Sequence, residues 1–88
     1  MDDWCIYIVR CADKTLYTGI TRDAGRRVEE HNGNNNLGAR YTRARRPVKL
    51  VYQESAPTRS KASIRESEIK HLSKKEKEIL IVDSQNRP

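Results

Sequence analysis

Five side chains suggest a single chemistry when taken together: Tyr7, Tyr17, Arg27, His31 and Glu66. Hydrolysis of a phosphodiester needs a group to take a proton from water and positive charge on the phosphoryl oxygens. It also needs an acid or metal behind the departing oxygen. A tyrosine serves as the base only if nearby cations lower its pKa from the usual value of about 10. Arg27 and a divalent metal would do that. Glu66, with substrate phosphate and water, is a donor set that suits Mg²⁺. Glu68 is close in sequence, but a helix turns about 100° per residue, so only one of the two carboxylates can face a common site.

The two tyrosines require a hairpin to bring them together. Trp4–Cys11 and Thr15–Thr21 are apolar, β-prone runs separated by the polar turn Ala12-Asp13-Lys14. Alternation puts Trp4, Ile6 and Ile8 on one face and Cys5, Tyr7 and Val9 on the other. A turn centred on Asp13 sets Tyr7 opposite Gly19 and Val9 opposite Tyr17, so the tyrosines sit diagonally on one face. Gly19 then leaves open space beside Tyr7, which favours Tyr7 over Tyr17 as the base by making room for water. A slip of one residue would separate the tyrosines.

The remaining elements follow in order. Asp23 reads as the N-cap of a helix from about Ala24 to Asn32 that stops at Gly33. On it, Arg27 and His31 are neighbours four residues apart. Asn32–Gly38 reads as a mobile surface loop. Val48–Gln53 alternates as a third strand with Val48, Leu50 and Tyr52 inward, and Ser55-Ala56-Pro57-Thr58 is a turn. A helix from about Arg59 to Leu72 buries Ala62, Ile69 and Leu72, with Ile64 near its edge. Ser73-Lys74-Lys75-Glu76 is a capping box. It opens a last helix that runs to about Val82 and packs Ile79, Leu80 and Val82 on the core. The order β-β-α-β-α-α gives an α+β fold, a small three-stranded antiparallel sheet flanked by helices. Residues 1–82 form one domain and residues 83–88 a polar tail.

With 88 residues, 35% of them hydrophobic and no Phe, the core is small and built from aliphatic residues, the single Trp and four Tyr. No apolar run is long enough to span a membrane. Cys5 and Cys11, about 20 Å apart on one extended strand, are read as free thiols in a reducing, cytoplasmic setting. They make no zinc site. The net charge of +6 points to an anionic partner, nucleic acid before membrane. The charge is concentrated, since no acidic residue occurs from His31 to Gln53, where Arg40, Arg43, Arg45, Arg46 and Lys49 fall. Arginine forks suit phosphate oxygens, and the interleaved Tyr41 suits stacking on a base.

Cys5-Ile6-Tyr7, Tyr17-Thr18-Gly19, the helical Arg27 and His31, and Glu66 in Ala62-Ser63-Ile64-Arg65-Glu66 occur in the order found in the GIY-YIG nucleases, which the chain resembles. Cys5 stands where that motif has its first glycine. The likeness extends to the small standalone bacterial YhbQ-like proteins through residues 16–21, 26–31, 39–52 and 69–77. The resemblance implies the three-stranded sheet with flanking helices and metal-dependent cleavage of nucleic acid, with Mg²⁺ or Mn²⁺ and with DNA, in processing or repair, favoured over RNA. It gives Tyr7 or Tyr17 the attacking water, Arg27 the scissile phosphate, Glu66 the metal, and His31 proton transfer or phosphate contact. Lacking a second domain, the module would take its substrate choice from the basic segment, from oligomerisation or from a protein partner. The alternatives are a non-catalytic nucleic-acid-binding or adaptor module and a small protein–protein module.

Overall fold

Asp13 fixes the hairpin turn. Its Oδ1 accepts hydrogen bonds from Thr15 N at 3.1 Å and Thr15 Oγ1 at 2.6 Å, while Lys14 takes a left-handed φ of 71°. The computed structural model describes residues 3–34 and 36–86. The turn joins β1 (Trp4–Arg10) to β2 (Leu16–Thr21), with Tyr7 opposite Gly19 and Val9 opposite Tyr17, the register expected from the sequence. Then come α1 (Ala24–Gly33), α2 (Arg40–Arg43), β3 (Lys49–Ala56), α3 (Arg59–Lys70) and α4 (Lys74–Gln85). Strand β1 lies at the centre of an antiparallel sheet of order β2-β1-β3. The fold is the expected α+β arrangement.

The alternation in β1 divides the core into two layers. Ile6 and Ile8 join Tyr52, Ala62, Ile69 and Ile81 on the face covered by α3 and α4, with Trp4 at its margin. Tyr7, Val9, Cys11, Ala24 and Val48 form the other layer, beside α1. Both cysteines are free thiols. Asp23 and Ser73 cap α1 and α4 as expected, the latter within a full capping box, and Thr58 caps α3; each side chain accepts from a backbone N–H. No helix of the described residues is long and apolar enough to cross a membrane.

Several expectations need correction. Val48, Leu50 and Tyr52 do not share a face. The β1–β3 register shifts between Ile8, opposite Tyr52, and Val9, opposite Leu50. This bulge sends Val48 and Leu50 to the α1 layer and Tyr52 to the α3 layer. Strand β3 also continues through Ser55 and Ala56, which pair with Cys5 and Trp4, where a turn was expected. On α4 the buried residue is Ile81, whereas Ile79 and Val82 remain 52% and 49% exposed. The Arg10–Glu78 pair, two hydrogen bonds of 2.6 and 2.7 Å, ties α4 to β1 and helps set which side of the helix meets the sheet. The helix also extends to Gln85, so residues 83–85 of the expected tail are helical, while residues 87 and 88 lie outside the described residues.

Candidate active site

The absence of a side chain at Gly19 is what positions Tyr7. A Cβ there would lie 2.5 Å from the Tyr7 hydroxyl oxygen and 2.7 Å from its Cζ. The Tyr7 ring therefore lies across the backbone of β2, and the space expected to admit water is filled by Tyr7 itself. Tyr7 is only 1% exposed. Its hydroxyl is hydrogen-bonded to His31 Nε2 at 2.8 Å.

His31 comes from the buried side of α1 and is 0% exposed. Its Nδ1 is 2.7 Å from Thr42 Oγ1, on α2. The Thr42 hydroxyl donates to the Ala39 carbonyl at 3.0 Å. With the Thr42 hydroxyl donating to the Ala39 carbonyl, its oxygen is left to accept from Nδ1–H, and in that tautomer Nε2 accepts from Tyr7. The Ala39 N–H is also directed at the same Nδ1 from 3.5 Å, a long contact that the opposite tautomer would accept. Burial pushes the His31 pKa down to about 4, helped by the Arg27 charge, so the ring is neutral near pH 7.

Electrostatics at Tyr7 run against the expectation of a lowered pKa. Burial raises it to about 12; Arg27 opposes that shift, while Tyr17 and Glu66 add to it. Desolvation penalises the phenolate more than one guanidinium stabilises it. Arg27 is itself held in place, with Glu30 Oε1 at 3.0 Å and the Leu37 carbonyl as acceptors. The turn supplying that carbonyl is organised by Asn34, whose Oδ1 accepts from the backbone N–H groups of Asn36 and Leu37 at 2.8 and 2.9 Å. The segment expected to be a mobile excursion thus helps build the site, although Asn35 lies outside the described residues.

Glu66 projects from the second turn of α3 and pairs with Lys70 at 3.3 Å. Glu68 turns elsewhere and pairs with Arg65 at 3.1 Å, so Glu66 is the carboxylate whose charge reaches Tyr7. Among the described residues no cluster of three or more His, Cys, Asp or Glu side chains would hold a metal ion. A lone carboxylate still suits Mg²⁺, which keeps several waters and relies on substrate phosphate oxygens.

Tyr17 sits beside this group, its ring edge-on to His31 with centroids 5.4 Å apart. It stacks on Tyr41 at 5.8 Å, and the Arg45 guanidinium lies 4.0 Å from the Tyr41 centroid. Tyr41, expected to stack on bases, stacks on Tyr17 in the fold. Arg45 also bonds Asp13 Oδ2 at 3.0 Å and the Tyr41 carbonyl at 2.8 Å. Arg46 Nε donates to the His31 carbonyl at 2.5 Å, and its Nη2 reaches the Asn34 carbonyl at 3.3 Å. These two arginines tie α1, α2 and the hairpin together, whereas Arg40, Arg43 and Lys49 are exposed. Thr42, Glu30, Asn34 and the Leu37 carbonyl were not singled out in the sequence. The one available signal was Thr42 lying between arginines without a surface role of its own.

The GIY-YIG catalytic domain model matches residues 3–79. A UPF0213 protein of Desulfotalea psychrophila is 56% identical over 82 residues, covering 93% of this chain and 74% of that one. One from Staphylococcus aureus strain Mu3 is 51% identical over 81 residues, covering 92% and 96%. Among solved structures, the UPF0213 protein of Bacillus halodurans is similar at a TM-score of 0.57 with 40% identity, covering 91% of this chain and 83% of that one. A protein of E. faecalis is similar at 0.62 with 31% identity, covering 100% and 93%. The hairpin register that crosses Tyr7 over Gly19, the helical Arg27 and His31, and Glu66 on α3 lie within the matched span, and the chain belongs to the GIY-YIG family, among its small UPF0213 proteins.

Proposed function

We propose that the protein is a metal-dependent endonuclease that hydrolyses nucleic-acid phosphodiester bonds, with DNA, in processing or repair, favoured over RNA. The observation that carries this reading is the 2.8 Å hydrogen bond from Tyr7 to a buried, neutral His31. A tyrosine with a pKa near 12 is a poor base alone. Coupled to an unprotonated Nε2, it has no need to ionise first. The attacking water gives its proton to the Tyr7 oxygen as the Tyr7 proton passes to His31, and hydroxide adds to phosphorus. Arg27, held by Glu30 and the Leu37 carbonyl, offers its guanidinium to the non-bridging oxygens. The departing oxygen takes a proton from solvent. Glu66 is the residue that would hold Mg²⁺ or Mn²⁺, which supplies positive charge at the phosphoryl oxygens when bound. Arg40, Arg43 and Lys49 would meet the flanking backbone, while Arg45, Arg46 and Tyr41 act mainly by building the site. Tyr17 positions His31 through its edge contact.

The burial and raised pKa of Tyr7 favour one second reading, a nucleic-acid-binding or adaptor module that retains the site without cutting. One experiment separates the two. Labelled single-stranded, duplex and branched DNA and RNA are incubated with the protein in Mg²⁺, Mn²⁺ or chelator, beside Glu66→Ala. Metal-dependent cutting that the variant lacks establishes the nuclease. Binding without cutting on every substrate leaves the adaptor.

A further inference from the structure

Two arginines outside the catalytic cluster converge on the single tryptophan. The Arg22 guanidinium carbon lies 5.1 Å from the Trp4 ring centroid, and that of Arg59 lies 5.5 Å from it. Both are within range of a cation–π contact, which holds a guanidinium flat and limits its rotamers. They come from different elements: Arg22 follows β2 directly, Arg59 opens α3, and Trp4 begins β1. Neither makes an ion pair among the described residues, where most other arginines with a fixed position have a carboxylate or carbonyl partner. The first turn of α3 adds positive potential, since its cap, Thr58, is neutral and no acidic residue follows in that turn. Arg22 and Arg59 are both exposed, so two like charges gather at one end of the sheet, where they repel unless an anion joins them.

Their placement indicates which anion. Arg59 and Glu66 are seven residues apart on α3, which puts them near one face of the helix with about 10 Å of rise between them. Arg22 is three residues beyond Gly19, again about 10 Å along an extended chain. Two independent elements thus place the pair at a similar distance from the site. One strand of a stacked duplex rises 3.4 Å per nucleotide, so about 10 Å is roughly three steps, and fewer on an extended strand.

We infer that Trp4, Arg22 and Arg59 form a phosphate anchor that grips the backbone of the cut strand within about three nucleotides of the scissile bond. The inference rests on the nuclease reading in taking nucleic acid as the ligand, but it concerns binding and not chemistry. The indole orients the two guanidinium groups, and these take backbone phosphate oxygens irrespective of base. The anchor sets where along the strand Glu66 and Tyr7 meet a phosphodiester.

The test uses the full chain carrying Glu66→Ala, in chelator, so that nothing is cut. A short labelled single strand is titrated by fluorescence anisotropy across a salt series, with Arg22→Ala/Arg59→Ala and Arg22→Lys/Arg59→Lys beside the parent. The alanine pair is expected to bind at least about tenfold more weakly and to flatten the logarithmic salt slope by about 1.4, two phosphate contacts. The lysine pair should keep the slope. Emission of the sole tryptophan in the parent should change as the strand saturates, a readout that needs no variant at the anchor. If the parent binds but the alanine pair matches its affinity and slope, or the tryptophan does not respond at saturation, the anchor is wrong and the nuclease reading stands. If the parent binds no strand, the nucleic-acid reading fails and the anchor with it.

Discussion

The Tyr7 hydroxyl lies over Gly19 so closely that any side chain at that position would strike it: a Cβ would sit 2.5 Å from the oxygen. The atoms struck belong to a rigid ring whose far end is hydrogen-bonded to His31. Gly19→Ala must therefore push Tyr7 off His31 or bend β2. The expected cost is about 1–3 kcal/mol, the range for overpacking, with loss of nucleic-acid cutting. Removing the hydroxyl in Gly19→Ala/Tyr7→Phe relieves only the nearest contact, because Cζ and Cε1 would still be at 2.7 and 2.9 Å. Thermal melts of the two variants test this. An unshifted melting temperature in Gly19→Ala would mean that the ring does not lie there.

His31 links stability to pH. Its pKa falls from about 6.5 in the unfolded chain to about 4 in the folded one. Between those values the unfolded state binds the extra proton. Stability from this group is complete above about pH 6.5 and declines as the pH falls toward 4, by on the order of 3 kcal/mol. Urea melts of the parent and of His31→Gln across that window should differ in slope, with the variant flatter. Parallel curves would show that the imidazole is not neutral and buried.

The hairpin was legible because its information is local. The turn residues Asp13 and Lys14, the alternation of β1 and Gly19 opposite Tyr7 lie within a few residues of one another. The caps Asp23 and Ser73 were legible for the same reason. The bulge at Ile8 and Val9 was not, since it depends on how a distant strand pairs with β1 and leaves a clean alternation in Val48, Leu50 and Tyr52. On α4, Ile79, Leu80, Ile81 and Val82 are all apolar, and the Arg10–Glu78 pair, 68 residues apart in sequence, helps choose the buried one. At the site, residue types and order singled out Tyr7, Arg27, His31 and Glu66, and the fold brings His31 into a hydrogen bond with Tyr7 and the Arg27 and Glu66 charges within reach of it. The sign of the Tyr7 pKa depends on burial, which no spacing reports.

The basic segment was read as one binding surface, and the contacts divide it. Arg46 bridges the His31 and Asn34 carbonyls, and Arg45 bridges Asp13 and the Tyr41 carbonyl. Arg46→Ala should lower stability by about 1.5–3 kcal/mol, the range for charged hydrogen bonds, and should disturb the site through His31. Arg40→Ala, at an exposed position, should leave the stability within about 0.5 kcal/mol of the parent and weaken nucleic-acid binding with a shallower salt dependence. Paired melts and salt titrations distinguish the two. Equal effects of both substitutions on stability would contradict the division.

Thr42 is the residue through which the tautomer of His31 can be tested. Its Oγ1 lies 2.7 Å from Nδ1 while its hydroxyl donates to the Ala39 carbonyl, and an Nδ1–H donating to Oγ1 would leave Nε2 bare for Tyr7. Thr42→Val keeps the shape and removes the acceptor, so the buried Nδ1–H loses its partner at a cost of about 1–3 kcal/mol. The ring can escape that cost by moving its proton to Nε2, which then donates to Tyr7 and can no longer take its proton. Cutting should fall by about 10²-fold or more, the scale of a lost proton-transfer group, with strand affinity retained. Thr42→Ser, which restores the hydroxyl, should recover most of the activity. Nitrogen-15 chemical shifts of the imidazole report the tautomer directly: the parent should show Nδ1 protonated and Thr42→Val should show Nε2 protonated. If both proteins show Nε2 protonated, the proton path from water through Tyr7 to His31 is closed in the parent, and Tyr17 becomes the tyrosine to test as the base.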